Sequence, residues 1–414
     1  MTARFGFMPV ASILVKDEQL SSIIGPYETA LLAMGGERWN EEDLTRSAPA
    51  FYVIATGGTE SLVLALNASR QQTAPGEPVF LIAHPGNNSL PAALEVLARL
   101  QQDGVAGRIF YLRDPDDERG LAHISSAVED LAVRSALRSV RIGLVGEPSE
   151  WLVASMPSPE VVRRTWGPEV IPVALGELMS RIDAVDPARI EPAVRSLADG
   201  ATECVEPSEQ DLAAVAAVHA AMRDLVADFE LDAVTLRCFD LVLERSTSGC
   251  FALSALADEG VMAGCEGDLV STVGMVWTHL LTGEMPWMAN PAQLDEDENT
   301  LWLAHCTVPR SMVERYRLRS HFESGLGVGI QGVIPEGDVT LVRIGGAAME
   351  ALWVAEGVIT RTGDAENLCR TQAHVRLTDG DVRDLLTAPL GNHIVLVRGH
   401  HADRLWAWWE TMLA

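Results

Sequence analysis

Short apolar runs alternate with amphipathic segments through the first third of the chain. Residues 5–10, 51–55, 79–83 and 108–112 are apolar and short enough for strands. Residues 26–34 and 90–100 repeat their apolar positions every three to four residues, as a helix does. This alternation predicts βαβ units and a parallel sheet. The pattern resumes near Val140, with strands predicted at 141–145, 170–173, 233–237, 261–265, 286–289 and 301–304. Helices are predicted at 208–229, 249–258 and 268–281. The first of these is the clearest, because Ser-Glu-Gln-Asp opens it and Leu212, Val215, Val218 and Leu225 keep to one face. Residues 177–206 are more polar and yield no clear element.

From about Gly327 the pattern changes to short alternating runs at 327–333, 339–344, 351–359, 371–377 and 393–398, parted by Gly, Asp and Pro. That predicts antiparallel strands in a barrel-like arrangement. A helix at 402–413 closes the chain, and its Trp406, Trp408 and Trp409 read as core or subunit interface. The expected fold is α/β: two doubly wound, Rossmann-like parallel-sheet domains, 1–139 and 140–306, followed by an antiparallel β-barrel-like domain with a terminal helix, 307–414. At 414 residues, more than one domain is expected.

Composition narrows the function classes. Hydrophobic residues make up 48% of the chain and charged residues 21%, which excludes a disordered protein. A net charge of −27 repels a phosphate backbone, so no nucleic-acid partner is expected. No apolar run is long enough to span a bilayer, and residues 1–10 lack a basic region followed by a long apolar stretch. No membrane association is expected, and a cytoplasmic location is. Lys16, the only lysine, lies in no motif, which argues against Schiff-base chemistry. The six cysteines, Cys204, Cys238, Cys250, Cys265, Cys306 and Cys369, form no CxxC pair. They are expected to be reduced, with Cys265 and Cys306 serving as small wall residues beside a site rather than as nucleophiles.

Candidate chemistry gathers where polar residues end apolar runs. Thr-Gly-Gly-Thr-Glu at 56–60 and Asn-Asn-Ser at 87–89 each follow a strand and open a helix. Their backbone N–H groups, with Thr59 and Asn87, suit a hydroxyl or an anion, though each also serves as a plain capping loop. Ala-Gly-Cys-Glu-Gly-Asp at 263–268 places Glu266 between a strand and a helix. Asp268 is the natural cap of that helix, which leaves Glu266 for metal ligation or acid–base work. Asn290 ends the next predicted strand and His305 the one after. In a doubly wound sheet successive strand ends converge, so a carboxylate, an amide oxygen and an imidazole could meet around one cation. Such a set suits Mn²⁺ or Mg²⁺ better than Zn²⁺. Arg310, Arg315, Arg317 and Arg319, with His321, form the densest basic run. It reads either as an exposed helix face paired with Glu314 or as a clamp for a carboxylate, phosphate or sulfonate, with Arg237 as a further member.

These motifs carry a resemblance. Glu-Gly-Asp at 266–268, the helix after it, Leu-Thr-Gly at 281–283 and Met-Ala-Asn at 288–290 are similar to the two carboxylate motifs of the L-fucose and L-arabinose isomerase superfamily. The 24 positions from Glu266 to Asn290 fit the fucose branch, and His305 stands where the arabinose branch has a metal-binding histidine. Asn392-His393 resembles the superfamily's C-terminal Asn-His, whose histidine binds the metal. The loops at 56–60, 87–89 and 146–151 resemble those of its shorter members.

The resemblance implies an aldose–ketose isomerase using Mn²⁺, or Mg²⁺ or Co²⁺. It implies a sugar substrate and a homo-oligomer, trimer or hexamer, in which a neighbour's first domain covers the site. It also implies Glu266, Asn290, His305 and His393 as metal ligands. The expected substrate contacts are Asn392, the basic residues Arg237, Arg319 and His321, and Thr59 and Asn87 of the two polar loops. Two carboxylates of the superfamily shuttle protons through an enediol. Here Asn290 replaces one of them, and an amide carries no proton at neutral pH. Glu266 remains as base, Glu323 is the candidate substitute, and Asp268 is the next. The same departure keeps open an epimerase, dehydratase or lyase on this scaffold, or a non-catalytic sugar-binding relative.

Overall fold

A computed structural model describes residues 5–413. The chain forms two compact units, one running to Arg134 and taking back the chain end from Ala407, the other spanning Ser135–Trp406.

The first unit is built on a five-stranded parallel sheet in the order Gly36–Arg38, Phe5–Val10, Ala50–Ile54, Val79–Ala83, Gly107–Tyr111. The strands Ala50–Ile54 and Val79–Ala83 are buried at every position, which is why they read as unbroken apolar runs. Helices Glu60–Thr73 and Ser89–Gln102 start from the two loops singled out by their small polar residues.

The second unit begins with a four-stranded parallel sheet ordered Met262–Cys265, Ala233–Leu236, Arg141–Val145, Glu169–Val173. A closed antiparallel barrel follows: Trp287–Asp295, Thr300–His305, Thr371–Asp379, Ala351–Thr362, Gly337–Gly345 and Ile394–Arg398. The fold is therefore the expected one, parallel α/β sheets followed by an antiparallel barrel. Among the described residues no helix is long and apolar enough to cross a membrane.

Three local expectations are corrected. Strands expected at 286–289 and 301–304 in the parallel sheet belong to the barrel, where Trp287–Asp295 and Thr300–His305 pair as a hairpin. The reason is length. Only 296–299 separates them, and a parallel pair needs a crossover of a dozen residues or more. Asp295 shapes the turn by accepting the N–H groups of Asp297 and Glu298. The arginine-rich segment is not a helix, because Arg315–Arg319 is a strand between Gly329–Val333 and Glu203–Cys204. That small sheet, and not the barrel, also takes the 327–333 run. The unassigned 177–206 stretch holds helices Leu175–Ala184 and Pro187–Asp199, the second capped by Asp186 with Pro187 at its first turn.

One helix joins sheet to barrel. Leu269–Thr282 is buried from Leu269 through Thr278, so it is apolar nearly all round. Gly274 lets it lie close to Val395 and Ile344 of the barrel. Its N-terminus therefore sits where the parallel sheet's carboxyl edge meets the barrel, with Asp268 as its cap.

Candidate metal centre

Glu266 follows the strand Met262–Cys265 and has φ +62, a left-handed conformation uncommon for a side chain of this kind. Neighbouring backbone holds it there. The Ser149 N–H donates to the Glu266 carbonyl at 2.8 Å, and the Gly267 N–H to that of Leu236 at 3.2 Å. Gly267 has φ +74, and a Cβ there would meet Pro148 Cα at 2.7 Å, so this position needs glycine.

His305 ends the barrel strand Thr300–His305, and His393 immediately precedes Ile394–Arg398. Each has one ring nitrogen occupied. His305 Nδ1 is 2.8 Å from Thr307 Oγ1. His393 Nδ1 donates to Asp268 Oδ2 at 2.9 Å, which follows because a carboxylate can only accept. Its Nε2 is buried without a hydrogen-bond partner and lies 3.8 Å from Glu266 Oε1. One ligand atom each from Glu266, His305 and His393 lies within 4.8 Å of the others. A carboxylate oxygen and two imidazole nitrogens, one of them buried without a partner, make a group that could hold a metal ion.

Electrostatics favours the ligating forms, with one exception. Burial drives His305 down to about 4, helped by His393, so it is neutral near pH 7. Burial would raise the Glu266 carboxyl, but His393 and the Trp151 N–H outweigh it and hold it below the usual carboxylate range. Burial works against a charged His393, yet Asp268 and Glu266 lift it to about 9 in the metal-free protein. There a proton occupies the position a metal would take.

Asp268 is fully buried, and both its oxygens are engaged. Oδ1 accepts the Ser271 N–H at 2.8 Å, while Oδ2 accepts the Ser271 hydroxyl at 2.7 Å as well as His393. Arg343 stands 3.5 Å from it. Burial would raise this carboxyl, but Arg343 and His393 hold it well below the usual range. This geometry orients His393 rather than reaching a substrate.

The group opens on a cavity of about 490 Å³. Glu266, Asn290, His305, His321 and Glu323 supply its polar wall. Trp151, Phe239, Phe322 and Leu368 supply an apolar one. Five of the six cysteines, all but Cys204, line the rest as free thiols. Asn290 is half-buried and Glu323 exposed. His321 rests edge-on against Phe239 and bonds Ser324 through Nδ1.

Other expected contacts lie elsewhere. Arg319 is spent on Glu206, Glu366 and Gln331, and Arg237 on Asp240, Glu150 and the Pro148 carbonyl. Neither lines the cavity. Arg310 is likewise paired, with Asp258. Asn392 is exposed beside His393 and off the cavity wall. Thr59 and Asn87 belong to the first unit. Thr59 is buried with its hydroxyl donated to the Thr56 carbonyl, and Asn87 is exposed at φ +49.

Sequence reasoning missed Trp151, whose indole Nε1–H donates to Glu266 Oε2 at 2.6 Å, and the Asp268–His393 pair. The signal for the first was the Gly-Glu-Pro-Ser-Glu-Trp loop itself, and for the second a buried carboxylate able to serve two partners.

Fold and site together define an α/β-plus-barrel protein with a carboxylate–imidazole group that could hold a metal ion. No known family profile matches the chain. It is similar to the sulfoquinovose isomerase of Alkalicoccus urumqiensis, 24% identical over 242 residues, which cover 57% of this chain and 54% of that protein. The sulfoquinovose isomerase of Clostridium sp. (strain MSTE9) is 21% identical over 281 residues, 65% of this chain and 62% of that one. That of Priestia aryabhattai is 22% identical over 222 residues, with coverages of 48% and 44%. The matched stretches thus span about half the length of these relatives. The likeness supports a sugar isomerase family.

Proposed function

We propose that the chain is a metal-dependent aldose–ketose isomerase acting on a sugar or an acidic sugar derivative. The observation that carries this reading is the orphaned Nε2 of buried His393, aimed at Glu266 and steadied from behind by Asp268. Glu266, His305 and His393 would hold the ion, and Asn290, on the same cavity wall, would be a further oxygen donor. Two imidazoles and a carboxylate suit Mn²⁺ or Co²⁺ better than Mg²⁺, which favours all-oxygen surroundings. Such an ion would supply Lewis acidity to neighbouring sugar oxygens.

The chain's own groups must then move a proton between two adjacent carbons by way of an enediol. Asn290 carries no proton, and Asp268 is fully engaged. Glu266 and Glu323 are the carboxylates of the cavity wall, so Glu266 acts as ligand and base and Glu323 as the second proton carrier. His321 faces the same space and offers a hydrogen bond to a sugar hydroxyl.

The named activity of the relatives makes sulfoquinovose, a sulfonated aldose, the first substrate to try. Arg237 and Arg319 do not supply the anion clamp in this reading, since acidic partners already neutralise both. The proposal includes a homo-oligomer, trimer or hexamer, in the cytoplasm, and light scattering of the purified protein tests the assembly.

The test of function is NMR in D₂O of the Mn²⁺-loaded protein with sulfoquinovose and with neutral aldoses. Ketose formation with unchanged carbon connectivity supports isomerisation. Loss of water or cleavage of a carbon–carbon bond instead supports the dehydratase or lyase that Asn290 keeps in view.

A further inference from the structure

Trp151 has an indole that is 49% exposed, at the mouth of the cavity, yet its N–H makes one of the shortest contacts to the centre. Nε1 lies 2.6 Å from Glu266 Oε2, a charge-assisted hydrogen bond from a group that can only donate. The same loop grips Glu266 a second time, through the Ser149 N–H on its carbonyl. Both grips act on a residue held at a positive φ.

The loop is itself fixed from three directions. Arg237 donates to the Pro148 carbonyl at 2.9 Å and to Glu150 at 3.0 Å, and Asp240 anchors that guanidinium from the other side. Arg343 reaches Ser155 just beyond. Phe239 meets the Trp151 ring edge-on, with centroids 5.0 Å apart at 82°, which sets the direction in which the N–H points.

The consequence lies in how the carboxylate is divided. Oε2 is occupied by the indole, while Oε1 faces His393 Nε2. We infer that Trp151 is a positioning residue. It pins Glu266 so that only Oε1 is presented to the ion, and the loop 146–152, mounted on Arg237, is the frame that keeps it there. This rests on the metal-dependent reading proposed above. It also gives Arg237 a function without substrate contact.

The test is calorimetric titration of Mn²⁺ into the metal-stripped full chain, wild type against Trp151→Phe and Trp151→His. Phenylalanine keeps an aromatic ring against Phe239 but has no N–H. Histidine can place its Nε2–H at the ring position of the indole Nε1. Loss of a group that orients a metal ligand typically costs 10–100-fold in metal affinity. The expected result is a fall of about that size for Trp151→Phe and a smaller one for Trp151→His, with the melting temperature of both metal-free variants close to that of wild type. In turnover, kcat falls for Trp151→Phe while KM for the sugar moves less. Mn²⁺ affinity of Trp151→Phe within about twofold of a metal-binding wild type overturns the inference and leaves the proposed function standing. A wild type that takes up no divalent ion overturns both.

Discussion

His393 Nδ1 lies 2.9 Å from Asp268 Oδ2, in a pair with no exposure to solvent on either side. Asp268 leads the helix Leu269–Thr282, and His393 leads a barrel strand. The pair therefore ties the α/β sheet to the barrel at the point where both contribute to the centre. Asparagine at 268 would keep the helix cap but remove the charge that Arg343 and His393 share. Asp268→Asn should lower Mn²⁺ affinity by about 10–100-fold. It should also destabilise the metal-free protein by about 3 kcal/mol, as breaking a buried ion pair does. Metal titration and urea unfolding measure the two effects.

Stability of the metal-free protein should peak near pH 6.5. His393 is raised from the ordinary 6.5 to about 9, so its stabilisation is complete below about pH 6.5 and is lost as pH climbs through 9. The loss amounts to about 3 kcal/mol. His305 is depressed to about 4, so protonation of the unfolded chain erodes stability as pH falls from 6.5 toward 4. Mn²⁺ competes with the proton on His393, and the other two ligands need lose none. Calorimetry at pH 7 in buffers of different ionisation enthalpy should therefore find about one proton released per ion, and affinity rising toward pH 9.

Glu323→Gln should cut kcat by about 10²–10⁴, the usual contribution of a general acid–base, and leave Mn²⁺ affinity unchanged. A fall in kcat of less than about threefold would remove Glu323 from the proton relay.

Asn290→Asp should retain the metal and match or exceed wild-type turnover of ordinary aldoses, because it puts back on the cavity wall the carboxylate that the resemblance expects at this position. Complete metal loss in this variant, read by elemental analysis, would mean that Asn290 does not sit where the resemblance puts it.

Gly267→Ala forces a Cβ against the Pro148 backbone at a positive φ. A loss of about 1–3 kcal/mol in thermal unfolding is expected, with weaker metal binding as Glu266 shifts.

Much of this was legible in residue order, because it depends on local pattern. The parallel sheets announced themselves as unbroken apolar runs, and Glu266 stood out as a carboxylate left over once Asp268 capped the helix. What stayed hidden depends on distant partners. The arginines looked like a clamp because Glu206 and Glu366, which neutralise Arg319, lie 113 and 47 positions away. Trp151 reaches Glu266 across 115 positions, and no window along the chain contains both. The barrel hairpin is legible in spacing rather than in apolar content: four residues between two strands allow an antiparallel pair and leave no room for a parallel crossover.

Elemental analysis and Mn²⁺ titration of wild type beside Glu266→Gln and His393→Gln test the centre most directly. One tightly held divalent ion per chain in wild type, with both variants binding at least about 100-fold more weakly, is the predicted result. Equal binding by all three, or none by wild type at pH 8, would contradict it.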